Sequence, residues 1–215
     1  MVYGRHGGSM GITIMKTLLI ILCILLTPLL VEARMNVVVC GGGVATAACT
    51  TQASPTDMET FGASAYNIGT AAGNRYVASR FVAGESTNIC QICVYLKSST
   101  GTSPTFSITA YIFSDTGAEE YKPDAVVASG TFETRDMTGV LDGDYDWYCW
   151  TGGNAAVTSG TAYHVALYTS GTDGTNITYW GYDSSCTTER VHRGTTTPAW
   201  TNESTTYCTM TKLYK

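Results

Sequence analysis

The chain is short of charge, and of positive charge in particular. Charged residues make up 13% of its 215 residues, only 12 residues are Lys or Arg, and the formal net charge is -5. No cluster of Lys and Arg occurs in the sequence, whereas a protein that binds nucleic acid needs one to neutralise phosphates. A basic helix suited to a membrane surface is also missing. The composition therefore excludes a nucleic-acid partner.

Helix-forming stretches are equally scarce beyond residue 34. Segments rich in Ala, Leu, Glu and Lys are missing there, while Thr, Val and Tyr, which favour pleated strands, are common. Gly, which suits tight turns, occurs 23 times. A hydrophobic share of 44% is enough for a core. These features predict one folded all-β domain.

Catalytic motifs are missing as well. The sequence has no Gly-x-Ser-x-Gly and no His-Glu-x-x-His, and the glycines at 41–43 lack the Lys of a phosphate-binding loop. Strand alternation places His164 opposite Tyr163, which predicts an exposed His on a strand surface. A glycosidase needs two carboxylates at a set separation, and no acidic residue here stands in a recognisable setting. We therefore expect no enzyme.

The one long apolar run lies near the N-terminus. Lys16 precedes apolar residues 18–26, and small residues end the segment at Ala33. This pattern is typical of a secretory signal peptide, with Met15 as the expected start and the residues before it as an upstream extension. The run is too short for a comfortable transmembrane span. We expect a secreted protein with no membrane span after removal of residues 1–33.

The cysteines fit an exported chain. Of the 8 cysteines, Cys23 lies in the signal, and those that remain are Cys40, Cys49, Cys90, Cys93, Cys149, Cys186 and Cys208. Outside the cell they favour disulfides over zinc. Cys40 and Cys49 could close a small local loop. Cys90 and Cys93 point to opposite faces of a strand, which favours structural cysteines over a metal or redox pair. The pairing stays open, and the odd number leaves a thiol free or bonded between molecules.

The rest of the chain divides into two parts. Residues 34–73 are rich in Gly, Ala and Thr and are predicted to be a loop or tether, part of which could become an edge strand. Residues 74–215 contain about eight or nine short alternating segments separated by turns, and Asp173-Gly174 is a strong hairpin signal. This pattern predicts two antiparallel sheets in a β-sandwich of the jelly-roll type.

Several segments in a fixed order carry a resemblance. They are Ser79–Phe81 before Ile89–Lys97, then Tyr111–Gly117 before Pro123, Ser159–Leu167, Tyr179–Asp183, Trp200 and the closing Tyr207–Tyr214. Together they resemble a family of bacterial and phage extracellular jelly-roll modules, which are carbohydrate-binding-like domains found beside anchors, adhesins and tail fibres. The resemblance spans most of residues 76–214, and the cysteines depart from it. It implies a fold and an extracellular role, and no particular ligand.

Aromatic residues are the candidate ligand-binding residues. A flat ring packs on the apolar side of a sugar, and nearby polar groups bind its hydroxyls. The expected set is Trp147, Trp150, Trp180, Tyr182 and Asp183. Alternation places Trp147 and Trp150 on opposite faces of their strand, so one of them is expected in the core and the other exposed. The competing interpretation is that most of these aromatics fill the sandwich.

An acidic loop is the candidate metal site. Asp142, Asp144 and Asp146 alternate along it, and carboxylates at that spacing can converge on a hard cation such as calcium. The EF-hand pattern fails because Trp147 stands where Gly is needed and Gly153 stands where Glu is needed. The loop is either a structural calcium site or a solvated turn, and no other cofactor is expected.

The combined pattern favours a non-catalytic extracellular module that binds carbohydrate or a cell-surface glycan. The alternative is a structural subunit of an extracellular filament, coat or phage tail fibre that self-assembles. The odd cysteine suits the alternative, as does the closing strand Thr205–Tyr214, which could present an exposed edge.

Overall fold

The computed structural model describes residues 49, 51–53, 64–70, 75–117, 121–183, 191–194, 199–204 and 208–215. These residues belong to one compact unit, residues 45–215. The predicted signal peptide and most of the segment 34–73 lie outside the described residues, and only the backbone is described for Asp183 and Cys208. The described residues contain no helix of the length and apolarity needed to cross a membrane.

The described residues fold into strands joined by turns and loops. In chain order the strands are β1 (Ser64–Ile68), β2 (Tyr76–Val82), β3 (Thr87–Ile89), β4 (Gln91–Ser98), β5 (Ser107–Asp115), β6 (Pro123–Asp136), β7 (Asp146–Trp150), β8 (Ala155–Val157), β9 (Ala162–Thr169), β10 (Thr178–Asp183), β11 (Val191–Gly194), β12 (Trp200–Ser204), β13 (Cys208–Thr209) and β14 (Thr211–Tyr214). The predicted all-β fold is confirmed.

The strands form two six-stranded antiparallel sheets. Sheet 1 holds β1, β10, β4 and β14 in that order, with β13 beside β10 and β7 beside β4. Sheet 2 has the order β12-β11-β2-β9-β5-β6, and β3 pairs with β8 in a separate ribbon. The chain crosses between the sheets from β4 to β5, from β6 to β7 and from β9 to β10. Such repeated crossing is typical of jelly-roll and Greek-key sandwiches, and the predicted sandwich is confirmed.

Period-2 alternation builds the core between the sheets. Ile92, Val94 and Leu96 of β4 are fully buried from sheet 1, and Ile108 and Ile112 of β5 meet them from sheet 2. The alternation along β5 therefore sets one face of this strand into the core. Full burial of such a side chain stabilises a fold by about 2 kcal/mol.

Sheet 1 forks near its centre. Trp180 of β10 pairs with Leu96 of β4, but beyond that point the C-terminal chain separates the two strands. It runs antiparallel to β10 and then antiparallel to β4. Because β4 and β10 are themselves antiparallel, the chain must reverse at Met210. The Met210 amide donates to the carbonyl of Gly181 (2.7 Å), and its carbonyl accepts from the amide of Tyr95 (3.2 Å). These bonds replace the ladder that the fork interrupts.

The sandwich begins before residue 74. Strand β1 forms an edge of sheet 1 against β10. The Ala53 amide donates to the carbonyl of Leu213 (2.7 Å), and Gln52 forms a bridge with Tyr214. Part of the Gly- and Ala-rich segment therefore joins the sheet, as the expected edge strand does.

Two disulfides fasten sheet 1. Cys49 is bonded to Cys90, so the local loop considered between Cys40 and Cys49 does not form. Cys93 is bonded to Cys149, its direct neighbour across β4 and β7. Cys90 and Cys93 thus have different partners, as their opposite faces predict. Cys40, Cys186 and the side chain of Cys208 lie outside the described residues. Disulfides are typical of an oxidising, extracellular-type environment.

Candidate functional site

The outer face of sheet 1 carries a row of aromatic and basic side chains. Since Val94 and Leu96 point into the core, the alternate residues Tyr95 and Lys97 point outwards. The strand register then sets Trp147 of β7 opposite Tyr95. We call this set the aromatic platform, and its members, all partly exposed, are Tyr95, Lys97, Tyr145, Trp147, Tyr179 and Lys212.

Three rings of the platform pack on one another. The centroids of Tyr95 and Tyr145 are 5.1 Å apart with only 11° between the ring planes, which is a stacked arrangement. Trp147 is a second ring neighbour of Tyr95, at 5.0 Å and 42°. These separations are those of favourable aromatic pairs. The three rings therefore form one aromatic cluster on this face of the sheet.

Gly181 of β10 leaves space for the rings of Tyr95 and Tyr145. A Cβ atom at this position would lie 3.3 Å from Cδ1 of Tyr95 and 3.4 Å from Cε1 of Tyr145. Both separations are tighter than ordinary carbon–carbon contact. The missing side chain therefore lets the two rings approach the backbone of the neighbouring strand.

Two ammonium groups lie on the rings. Nζ of Lys97 is 4.6 Å from the Tyr145 centroid and 6.0 Å from that of Tyr179. Nζ of Lys212 is 4.3 Å from the Trp147 centroid. Within the described part of the chain, neither ammonium forms an ion pair with a carboxylate. The rings attract these cations through their negative faces, which leaves N–H donors for other groups.

The hydroxyl of Tyr145 is held in its protonated form. Burial raises its pKa first, and the neighbouring hydroxyls of Tyr179, Tyr182 and Tyr95 raise it further, to about 12. The group is therefore neutral at physiological pH and has both a donor and an acceptor. The oxygen of this hydroxyl is itself buried, so the group is not exposed to a ligand.

The predicted ligand residues divide between this face and the core. Trp147 is on the platform, whereas Trp150 and Trp180 are fully buried between the sheets. Their indole N–H groups donate to the carbonyls of Ile108 and Met210, each at 3.0 Å. With its polar atom satisfied, each ring is a stable part of the core and offers no face to a ligand. Of the three predicted tryptophans, Trp147 is therefore the one that is exposed on the platform.

The other two predicted residues lie at the end of β10. Tyr182 is partly exposed and close enough to Tyr145 to raise the pKa of its hydroxyl. The side chain of Asp183 lies outside the described residues. Tyr182 is thus a neighbour of the platform, and no role follows for Asp183.

Two of the three loop carboxylates accept hydrogen bonds from nearby backbone amides. Asp142, Asp144 and Asp146 are all exposed. Oδ1 of Asp142 accepts from the amide of Asp144 (3.0 Å), and Oδ1 of Asp146 accepts from the amide of Trp147 (2.7 Å). No metal-binding group of three or more His, Cys, Asp or Glu side chains occurs among the residues that the structure describes. A calcium ion at this loop stays a prediction.

Asp146 also faces away from the platform. It pairs with Leu96, a core residue, so it lies on the opposite side of β7 from Trp147. The platform side chains are therefore aromatic or basic, and this predicted metal ligand does not join them.

Sequence reasoning missed Tyr95, Lys97, Tyr179 and Lys212. The alternation of β4 was a usable signal for Tyr95 and Lys97, because apolar residues flank both. Their grouping with Tyr179 and Lys212 depends on strand pairs far apart in sequence. No pattern within one segment of the sequence indicates such long-range pairs of strands.

The outer face of sheet 2 carries a buried ionic cluster. Oδ2 of Asp115 lies 2.8 Å from Nε of Arg80 and 2.9 Å from Nε2 of His164. Burial alone would raise the pKa of Asp115, but hydrogen bonds from His164, Arg80 and the amide of Gly117 hold it well below its usual range. Burial lowers the pKa of His164. These groups neutralise one another.

His164 corrects one expectation. It does lie opposite Tyr163, but it is fully buried and not exposed. Its ring lies 5.3 Å from that of His192, in an edge-to-face contact, and is bonded to Asp115. In the sequence, a polar strand face that is covered by other residues and hydrogen-bonded within the protein has the same pattern as a polar face that is exposed to water.

Aromatic residues fill the other end of this face. Tyr76 packs on Tyr168 with centroids 4.5 Å apart, and Trp200 lies edge-on to Tyr76 at 5.6 Å. Arg75 covers Tyr168 at 4.9 Å and donates to the carbonyls of Thr169 (3.0 Å) and Ser170 (2.8 Å). The cation here has acceptors within the protein.

Comparison of the chain with protein-family models, with curated proteins and with solved structures finds no match.

Proposed function

We propose that the chain is a secreted, non-catalytic module that binds carbohydrate through the aromatic platform. The observation that carries the proposal is the cluster of Tyr95, Tyr145 and Trp147 on a partly exposed sheet face, with the centroids of Tyr145 and Trp147 at 5.1 Å and 5.0 Å from that of Tyr95. Sugars present an apolar C–H face with hydroxyls around its rim. Flat rings bordered by donors and acceptors complement that pattern.

The polar rim of the platform supports the same function. The ammonium groups of Lys97 and Lys212 provide charged donors beside the rings. Both can donate hydrogen bonds to sugar hydroxyls. The platform itself holds no carboxylate and no imidazole, which are the groups that most often act as a general acid or base. Binding without turnover fits this set of side chains.

The two disulfides and the signal sequence support an extracellular location. The Cys93–Cys149 bond joins β4 to β7, the two strands that carry Tyr95 and Trp147. A disulfide at this point ties the edge strand to its neighbour. A rigid scaffold lowers the entropy cost of ordering the binding groups, so the bond supports the platform directly.

A glycan array and polysaccharide pull-downs with the purified protein test the proposal. We expect Tyr95→Ala or Trp147→Ala to weaken binding about 10-fold, because each removes one stacking surface worth about 1.4 kcal/mol. Tyr111→Ala is the matched control, since Tyr111 is a partly exposed tyrosine on the outer face of sheet 2. It should bind as the parent protein does.

Two outcomes would contradict the proposal. One is the absence of binding to any glycan by a folded, monodisperse sample. The other is a loss of binding in Tyr111→Ala as large as that in the platform variants, since the platform would then contribute no more to binding than the outer face of sheet 2.

The structural-subunit alternative has one supporting observation of its own. Strand β6 forms an edge of sheet 2, and most of its side chains are exposed, including Val126 at 40%. The edge of a sheet can accept a strand from another chain. Measuring the protein's mass under reducing and non-reducing conditions separates the two functions. Monomers support the binding module, and ladders or fibres support assembly.

A further inference from the structure

We propose that the platform selects acidic glycans, with uronic acid residues as the preferred class. This inference rests on the proposed function and adds the chemical class of the ligand. Its basis is the pair of lysines, Lys97 and Lys212, that lie on the aromatic rings without a carboxylate partner in the described structure. The chain as a whole carries a formal net charge of -5, so two cations with no carboxylate partner among the described residues stand out.

Other basic side chains in the described structure have acceptors within the protein. Arg80 pairs with Asp115, and Lys215 pairs with Glu85. Arg75 donates to the carbonyls of Thr169 and Ser170, and Arg135 donates to that of Cys149 at 2.7 Å. The protein therefore uses cations elsewhere to hold its own fold. Lys97 and Lys212 differ because their charge is placed on a partly exposed aromatic face.

The strand register sets the spacing of the two lysines. Lys212 lies opposite Cys93 on β4, and Lys97 lies further along the same strand, with Tyr95 midway between. At about 3.3 Å per residue, Cys93 and Lys97 are separated by about 13 Å. The side chains bring the charges towards the same rings, because the ammonium of Lys97 lies on Tyr145, that of Lys212 lies on Trp147, and both rings contact Tyr95. A glycan that covers this ring cluster would therefore lie beside both ammonium groups.

A uronic acid matches both parts of this surface. Its C–H face can pack on a ring, while its carboxylate projects from the rim of the sugar. An ammonium that lies on a ring still directs N–H donors towards solvent, where the carboxylate would be. The resulting charge-assisted hydrogen bonds are stronger than neutral ones. A neutral sugar would gain the stacking but not these bonds.

The nearby acidic loop does not cancel this preference. Asp146 lies on the opposite side of β7 from Trp147, and the carboxylate of Asp142 is bonded to the amide of Asp144. Their repulsion on an exposed anion is screened over about 8 Å at physiological salt. The lysines act at contact distance and dominate.

Polygalacturonate and its methyl-esterified form make a matched pair of probes, because they share one backbone and differ in charge. We expect the purified protein to bind polygalacturonate at least about 10-fold more tightly than the ester. The double variant Lys97→Met, Lys212→Met should lose that preference and keep its affinity for the ester. Lys122→Met, which removes a charge from the β5–β6 loop instead, should leave the preference intact. Added salt should weaken binding to the acid form alone.

The outcomes separate the two proposals. Equal binding to both polymers, or an acid preference that survives the double lysine variant, would overturn the acidic-glycan inference while leaving carbohydrate binding in place. Binding to the ester and to neutral glycans alone would do the same. If a folded sample binds neither polymer and no glycan on the array, the proposed function itself fails.

Discussion

The charged side chains on the two outer faces of the sandwich have different surroundings. On sheet 2, Asp115 accepts hydrogen bonds from both Arg80 and His164, and the side chain of Asp115 is only 5% exposed. On sheet 1, Lys97 and Lys212 lie on aromatic rings and form no ion pair with any carboxylate that the structure describes. Both faces are rich in aromatic residues. The carboxylate of Asp115 on sheet 2 is paired within the protein, whereas the two ammonium groups on sheet 1 have no carboxylate partner among the described residues.

This difference separates a structural face from the proposed binding face. Buried ions that are paired and hydrogen-bonded fix a conformation, and removal of one member leaves an uncompensated charge. Cations on a partly exposed face add little to stability and are free to bind a ligand. The contrast predicts that stability depends on sheet 2 and the core, while binding depends on the platform of sheet 1.

The largest expected effect is the difference in stability between a variant of the core and a variant of the platform. Trp180→Ala should lower the free energy of unfolding by about 4 kcal/mol, because it removes a fully buried indole and leaves a cavity. Trp147→Ala should lower it by less than about 1 kcal/mol, since Trp147 is partly exposed. Urea denaturation measures both. Similar losses in the two variants would contradict the assignment of Trp147 to a binding face.

The second effect is the difference in stability between removing a charge from the outer face of sheet 2 and removing one from the outer face of sheet 1. Asp115→Asn should cost about 3 kcal/mol, because Arg80 would keep a nearly buried charge without its carboxylate. Lys97→Met should change stability by less than about 0.5 kcal/mol. The same denaturation series gives both numbers. A loss in Lys97→Met as large as that in Asp115→Asn would show that the platform lysine is structural.

The smallest effect is a loss of stability in mild acid. The pKa of His164 is lowered by burial in the folded protein, whereas an unfolded His titrates near 6.5. As the pH falls through 6.5, the unfolded chain takes up a proton that the folded protein does not, so stability falls by up to about 1.4 kcal/mol per pH unit. Asp115 extends the loss below pH 4, because its carboxyl stays ionised only when folded.

Melting temperatures at pH 7.5 and 5.5 measure this effect. The parent protein should melt lower at pH 5.5, and His164→Gln should show a smaller difference between the two values. An unchanged difference in His164→Gln would assign the acid sensitivity to another group.

Local patterns predicted the fold well. Period-2 alternation predicted the strands, and the expectation of structural cysteines at Cys90 and Cys93 agrees with the two disulfides that they form. Both are properties of one strand, which the sequence displays directly. The partners of those cysteines lie 41 and 56 residues away, and no local signal points to them.

The site was harder to predict for the same reason. Alternation showed that Trp147 and Trp150 face opposite ways, but only the pairing of Trp150 with Ile92 shows which side is the core. Trp180 is buried because the C-terminal chain turns at Met210 beneath its indole N–H. These contacts join distant segments. The sequence therefore supplied Trp147 among its candidates, and the packing of the strands adds Tyr95, Lys97, Tyr179 and Lys212 to it.

The most direct test of the account is hydroxyl-radical footprinting of the protein with and without a bound glycan. Oxidation of Tyr95, Tyr145 and Trp147 should fall in the complex, because the ligand covers these rings. Oxidation of Tyr76 and Tyr168, on the outer face of sheet 2, should not change. Protection of the sheet 2 tyrosines with the platform still oxidised would contradict the account and move the binding site to the opposite face.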